Sequence, residues 1–285
     1  MKIIGIVVLY NPSGNYLTNL EILSSQVDSL CVIDNSDETH EEELWKVKNL
    51  VYFPQFMNLG IAKAQNVGIK YAIDNRYDYI LFSDPDSFIP QNSIAKLVST
   101  FLNLCKRGCK VGAVGSTAIN QMTGNPYGIR KWTYIGEFPD EKVTEVTHTM
   151  NSISLIPTQL FKEVGLMDES LFIDGVDYEW CWRAKDLVSA RFFVSSDVRI
   201  EHNLGKETRH FLNRSVYIAA PKRLYYEYRN YIWLCRRSYV PLKWKKYNAW
   251  KYLLKIPYYS LFVSPRWKNF KFIVEGVLDG LNKNG

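Results

Sequence analysis

Two carboxylates one residue apart, Asp84 and Asp86, follow the apolar run Tyr79-Ile80-Leu81-Phe82, and Pro85 between them takes the chain out of any strand ladder. In an open α/β sheet the C-terminal edge of a strand is where ligands bind. Carboxylates there suit a hard cation such as Mg²⁺ or Mn²⁺ that also holds phosphate oxygens. Asp-Pro-Asp-Ser is equally good turn chemistry, so these acids alone leave an acidic turn open. Asp174, Asp177 and Glu179 fall within six positions, and Asp177 opens an expected helix whose Trp180, Cys181 and Ala184 pack inward. Such a cluster supplies a general base or caps a helix dipole. Asp34 ends a second apolar run, and His202 follows two short strand-like runs, although a lone histidine is more often a structural hydrogen-bonder.

The elements that must carry these groups read as a doubly wound α/β fold. Residues 3–9 form a first buried strand, not the core of a signal peptide, because they run into Asn11-Pro12-Ser13-Gly14 with no small-residue cleavage site. A helix through Leu17, Leu20, Ile22 and Leu23 follows, then strands at 30–33 and 50–53. Residues 58–72 form a helix in which glycine and alanine recur, so it packs closely against a partner, and its first N–H groups are available to an anion. Further on, a helix is expected at 94–104, a strand at 111–115 and an aromatic loop at 121–142. A strand at 150–156, a helix at 158–164 and two strands at 191–195 and 198–201 complete the sheet, and everything from Phe211 reads as helix.

The chain has 285 residues, 47% of them hydrophobic and 22% charged, enough for a substantial core. Five cysteines without framework spacing read as reduced thiols, and Cys105 and Cys109 lack the partners of a zinc site. No apolar stretch is long enough to span a bilayer, which implies a soluble or peripheral protein. Charge is unevenly spread: residues 204–285 hold 17 Lys and Arg against 4 Asp and Glu, whereas the remainder holds 18 against 25.

Taken together, the ordered motifs resemble glycosyltransferase family 2 with the GT-A fold, and within it the rhamnosyltransferase-like branch. They are Val8-Leu9-Tyr10-Asn11, Ile33-Asp34-Asn35-Ser36, Asn58-Leu59-Gly60 through Asn66-Val67-Gly68, Asp84-Pro85-Asp86-Ser87, Asp177 to Arg183, His202, and Tyr225 to Asn230. The resemblance implies a GT-A domain over residues 1–210, a mixed sheet flanked by helices, and a basic, aromatic helical extension over 211–285. It implies that Tyr10, Asn11 and Asp34 hold the nucleotide, the aspartate meeting N3–H of a uracil or thymine ring. Asn58 and Gly60 would frame the donor. Asp86 would ligate the metal, Asp84 would act through the ribose or a metal-bound water, and His202 would be a further anchor of the ion. Asp177 would be the catalytic base. The sequence departs from the family in one place: Val176 stands where many relatives carry a glutamate before the base.

The implied activity is inverting, Mg²⁺- or Mn²⁺-dependent transfer of a sugar, L-rhamnose from dTDP-L-rhamnose or a sugar from a UDP donor, to a lipid-linked saccharide or polysaccharide acceptor. Trp132 and Trp180 are candidates for reading the sugar. A nucleotidyltransferase is the rival enzyme, but the loop after the first strand contains no Lys or Arg to hold a triphosphate. Basic and aromatic residues interleaved over 223–271 suit single-stranded nucleic acid in isolation. With the other motifs in place no nucleic acid partner is expected, and the same mixture suits an anionic membrane surface on the cytoplasmic side.

Overall fold

The computed structural model describes residues 1–120, 124–150, 152–202, 208–211 and 214–282, excepting the side chains of residues 120, 202, 208–211 and 214–217. In chain order the elements are β1 (Ile3–Leu9), α1 (Tyr16–Ser24), β2 (Ser29–Asp34), β3 (Leu50–Pro54), α2 (Ile61–Asp74), β4 (Tyr79–Ser83), α3 (Ser93–Lys106), β5 (Val111–Asn120), β6 (Tyr134–Phe138), β7 (Val143–Val146) and β8 (Ser154–Pro157). They continue with α4 (Thr158–Val164), α5 (Val176–Val188), β9 (Arg191–His202), β10 (Thr208–Phe211), β11 (Arg214–Tyr217), α6 (Pro221–Arg236), α7 (Leu242–Leu261) and α8 (Arg266–Asn282). Among the described residues β1 to β9 form one mixed sheet in the order β3-β2-β1-β4-β8-β5-β9-β7-β6.

The first four strands of that order are parallel, and the register aligns Leu9 with Asp34 and Val7 with Ser83. Residues 10–11, 34–36 and 84–86 are thereby delivered to one edge. Successive side chains on β1 point to opposite faces and both faces are apolar, as a strand buried on two sides requires. Ile4 and Ile6 join the core under α2, α4 and α5, while Ile3, Val7 and Leu9 join the core under α1 and α3. The small residues of α2 have the expected use: a Cβ on Gly68 would lie 2.9 Å from Ile6, so its absence lets the helix close on the sheet.

Several boundaries differ from the sequence reading. β5 runs on to Asn120, and the two short strands read at 191–201 are one strand, β9, whose pairing slips between Ser195 and Arg199 opposite Ser116 and Thr117. β6 and β7 form an antiparallel pair within and just after the region read as loop. They escape periodicity because β6 is largely exposed on both faces. The strand read at 150–156 narrows to Ser154–Pro157. Where helix was read from Phe211, β10 and β11 pair antiparallel and helix starts only at Pro221, whose ring is preset for a first turn.

α6 packs on α8 through glycine: a Cβ on Gly276 would lie 2.4 Å from the Tyr225 carbonyl oxygen. α6 also docks on the loop that precedes α5. Asn230 Nδ2 donates to the carbonyls of Leu171, Ile173 and Asp174 at 2.9, 2.6 and 3.0 Å, and Arg229 Nη2 donates to that of Ser170 at 2.6 Å.

Candidate active site

Asp34, the last residue of β2, is 1% exposed. Tyr52 Oη donates to its carboxylate at 2.7 Å, His40 Nδ1 at 2.8 Å and the Ser36 N–H at 3.0 Å. Burial by itself would raise this carboxyl, but the bonds from Tyr52, Ser36 and His40 outweigh it and hold the group below the ordinary carboxylate range. Asp34 is thus an oriented anion. The Asn11 N–H donates to Ser36 Oγ at 2.8 Å, tying the loop after β1 to the one after β2, and Tyr10 is exposed beside it. His40 and Tyr52 belong to this site without any sequence signal: one sits in a polar loop and the other in a strand.

At the end of β4, the Ser87 N–H closes the Asp-Pro-Asp turn on the Asp84 carbonyl at 3.2 Å, and Asn19 Nδ2 donates to the Pro85 carbonyl at 3.0 Å. Asp84 lines a cleft of about 360 Å³, whereas Asp86 is exposed and is not among the residues that line it. Phe88 bridges Glu201, so the backbone at the end of β9 lies against the loop that follows Asp86. The His202 side chain lies outside the described residues. Among the described residues no group of three or more His, Cys, Asp or Glu side chains could enclose an ion. The set on hand is two carboxylates at a strand end. That donor set fits Mg²⁺ or Mn²⁺, which keep waters and take phosphate oxygens, and does not fit a closed zinc site.

The structure separates the three acids around α5. Glu179 is 1% exposed and engaged by Arg183 Nε at 2.8 Å, Arg237 Nη1 at 3.2 Å and Tyr239 Oη at 2.6 Å, so it is a buried anchor. Asp174 receives Arg223 Nη2 at 2.6 Å. Burial raises the Asp174 carboxyl and Arg223 works against that rise. Asp177 stands in the first turn of α5, its Oδ1 accepting the Tyr178 N–H at 3.0 Å, and shares the cleft with Asp84. Asp174, held by Arg223, lines the same cleft.

The loop before α5 is bent hard. Phe172 has φ 63° and ψ −62°, with the Ile173 N–H bonded to the Leu171 carbonyl at 2.7 Å, the geometry of a γ-turn. Asp174 at φ 65° and Gly175 at φ 87° follow. Positive φ is costly for Phe and Asp, so outside contacts must hold the loop. Asn230 and Arg229 of α6 do so from one side. From the other, Gly60 fits beneath Phe172, where a Cβ would come within 2.5 Å of the ring, and the Ile61 and Ala62 N–H groups donate to the Phe172 carbonyl at 2.7 and 3.4 Å. The sequence reading offers the first N–H groups of α2 to an anion; in the structure those of Ile61 and Ala62 are instead spent on this loop. Asn58 Oδ1 accepts the Gly60 N–H at 2.9 Å, and Asn66 grips Met167 through both its amide atoms at 2.9 Å. Trp180 is buried and donates to the Gly165 carbonyl at 2.9 Å, which removes it from the sugar-reading candidates, whereas Trp132 lines the cleft. The far wall comes from α6 and α7 through Arg223, Glu227, Tyr231, Trp244 and Lys251.

A mixed sheet of this order, with carboxylates at the ends of its parallel strands beside a cleft that Trp132, Tyr178, Tyr231, Trp244 and Tyr252 help to line, defines the GT-A class of glycosyltransferase fold. The chain belongs to one family within it: residues 6–164 match the family described as Glycosyl transferase family 2. It is 30% identical over 254 residues to the dTDP-rhamnosyl transferase RfbF of Shigella flexneri, an alignment covering 85% of this chain and 82% of that protein. It is 24% identical over 191 residues to the low-salt glycan biosynthesis hexosyltransferase Agl10 of Haloferax volcanii, covering 64% of this chain and 61% of the relative. Among solved structures, GalNAc-T7 with UDP, GalNAc and Mn²⁺ superposes with a TM-score of 0.59 at 16% identity, over 96% of this chain and 55% of that one. S. aureus TarS 1-349 superposes with a TM-score of 0.57 at 18% identity, over 97% and 81%. The chain is therefore a family 2 glycosyltransferase that is similar in sequence to a dTDP-rhamnosyl transferase.

Proposed function

We propose that the chain transfers L-rhamnose from dTDP-L-rhamnose to a lipid-linked saccharide or polysaccharide acceptor, with inversion at the anomeric carbon. The observation that carries this reading is that Asp84, at the end of β4, and Asp177, in the first turn of α5, line one cleft. Asp177 takes the proton of the acceptor hydroxyl as it attacks. One base suffices for direct displacement, and no second carboxylate need form a covalent intermediate. Asp34, oriented by Tyr52, Ser36 and His40, receives the base of the nucleotide, with Tyr10 and Asn11 beside it and Asn58 and Gly60 framing the donor side. Asp86, Asp84 and His202 are the residues proposed to hold a divalent ion, which when bound supplies neutralisation of the charge developing on the diphosphate. GalNAc-T7, alike in fold, was solved with Mn²⁺ and UDP. The donor is chosen on the Shigella relative, a dTDP-rhamnosyl transferase. A UDP-sugar is the second reading. Calorimetry with dTDP-L-rhamnose and a panel of UDP-sugars in Mn²⁺ separates them, and binding of a UDP-sugar alone overturns the rhamnose assignment.

Residues 1–210 are taken as the catalytic unit and 211–285 as an extension that walls the cleft and meets the membrane. α7 carries five lysines and no acid. Its outward residues include Trp250 at 71% and Leu254 at 69% exposure, and α8 adds Trp267 at 76%. These apolar residues stand with the exposed cations Lys243, Lys246, Arg266 and Lys268, and such a mixture is complementary to an anionic bilayer surface, into which it inserts shallowly. Among the described residues no helix is long and apolar enough to cross a membrane. The proposed place of action is the cytoplasmic face of the cell membrane.

A further inference from the structure

The cleft is lined by four carboxylates, Asp84, Asp174, Asp177 and Glu227, and three cations, Arg130, Arg223 and Lys251. Arg223 is paired with Asp174 at 2.6 Å, and Glu227 with Lys255 at 2.5 Å. Asp84 and Asp177 face the reaction. The remaining pair, Arg130 from the loop before β6 and Lys251 from α7, has no carboxylate within ion-pair distance among the described residues. Lys251 is open to the water of the cleft yet has protein on most sides. That crowding, then the charges of Lys255 and Arg130, outweigh Glu227 and Asp174 and bring its ammonium down to about 8. Arg130 also bears on Tyr178, the neighbour of Asp177. Arg130 and Lys251 repel each other within the cleft, and an anion bridging the two relieves that repulsion.

We propose that Arg130 and Lys251 form an anion subsite that holds a phosphoryl group of the acceptor in the same cleft as Asp177. A guanidinium fork and a point-charge ammonium together match a group carrying nearly two negative charges. The surroundings favour the acceptor as its source. Lys251 lies on the same helix as the outward Trp250, Leu253 and Leu254, so a phosphoryl group held there sits beside the face proposed to meet the bilayer. This assignment rests on the acceptor reading above, and the diphosphate of the donor is the other source of the same chemistry.

The test is calorimetric titration of inorganic pyrophosphate into the full chain in EDTA, so that no ion at the Asp84–Asp86 edge contributes. The wild type is expected to bind, Arg130→Met and Lys251→Met each to weaken binding about tenfold, and Lys251→Arg to restore most of it. Circular dichroism confirms that each variant is folded. A second titration, dTDP-L-rhamnose in Mn²⁺, assigns the source. Donor affinity unchanged in both Met variants supports an acceptor group, whereas an equal loss of donor affinity gives the subsite to the donor and overturns the assignment. Pyrophosphate affinity unchanged in folded variants removes the subsite altogether. The first titration needs no donor, so its outcome is independent of whether dTDP-L-rhamnose is the right sugar nucleotide.

Discussion

Replacing Asn230 with alanine removes the clamp between α6 and the loop that presents Asp177. Its amide donates to three carbonyls, those of Leu171, Ile173 and Asp174, and its oxygen accepts from Arg229 Nε at 3.0 Å. Asn230 is buried, so water does not simply take its place. At about 1 kcal/mol for each donated bond, the substitution costs about 3 kcal/mol. For a chain of this size that lowers the melting temperature by about 6–12 °C. The effect on turnover is expected to exceed the effect on folding, because the loop's γ-turn at Phe172 and positive φ at Asp174 relax once the clamp is gone. A shift of about 1 Å at Asp177 reduces turnover about 10²-fold. The assays are thermal unfolding followed by circular dichroism and sugar transfer measured well below the melting point. Wild-type turnover in a variant that melts lower would show that α6 stabilises the chain without positioning the base. A melting temperature within a degree or two of wild type would refute the hydrogen-bond accounting itself.

Asp177→Asn keeps size and hydrogen bonding but not basicity, so turnover falls by about 10² or more while calorimetric donor affinity is unchanged. Glu179→Gln takes the carboxylate partner from Arg183 in a buried network, while Arg237 keeps Asp168, and should cost about 3 kcal/mol in denaturant unfolding, with the melting temperature falling before activity does. Asp168 is partly buried, which would raise its carboxyl, yet bonds from Ser170 and Arg237 hold it below its ordinary value of 3.8. Its stabilisation is complete above that value and is lost as pH falls through the lower folded one, so Asp168→Asn should flatten the acid limb of the stability curve below about pH 4. The protein should sediment with vesicles containing anionic lipid and be released by high salt. Trp250→Glu with Leu254→Glu should abolish sedimentation, and equal, negligible binding of wild type to anionic and neutral vesicles at low salt would exclude the membrane face.

The strand-end acids were legible in the sequence because a buried parallel strand is a bare apolar run, and Asp34 and Asp84 interrupt such runs abruptly. The close packing of α2 was legible from Gly68 and its neighbouring alanines. What fixes the site was not legible. Asn230 and Arg229 read as ordinary polar residues in a basic helix, and the carbonyls they bind lie more than fifty positions earlier in the chain. The N–H groups of Ile61 and Ala62 looked open to an anion because local sequence shows a helix start and not the distant carbonyl that fills it. The aromatic tail was ambiguous for a similar reason. Trp244 and Tyr259 pack inward while Trp250 and Trp267 point outward, and composition alone cannot split residues that recur on both faces of a helix.

The central claim is metal-assisted sugar transfer across the cleft shared by Asp84 and Asp177, and it is tested most directly by following nucleoside diphosphate release from dTDP-L-rhamnose in Mn²⁺. The account predicts release by the wild type, loss in EDTA with recovery on adding excess Mn²⁺, near-background release by Asp86→Ala, and strong acceptor-dependent loss in Asp177→Asn. Undiminished release in EDTA, or full activity of Asp177→Asn with an acceptor present, would contradict it.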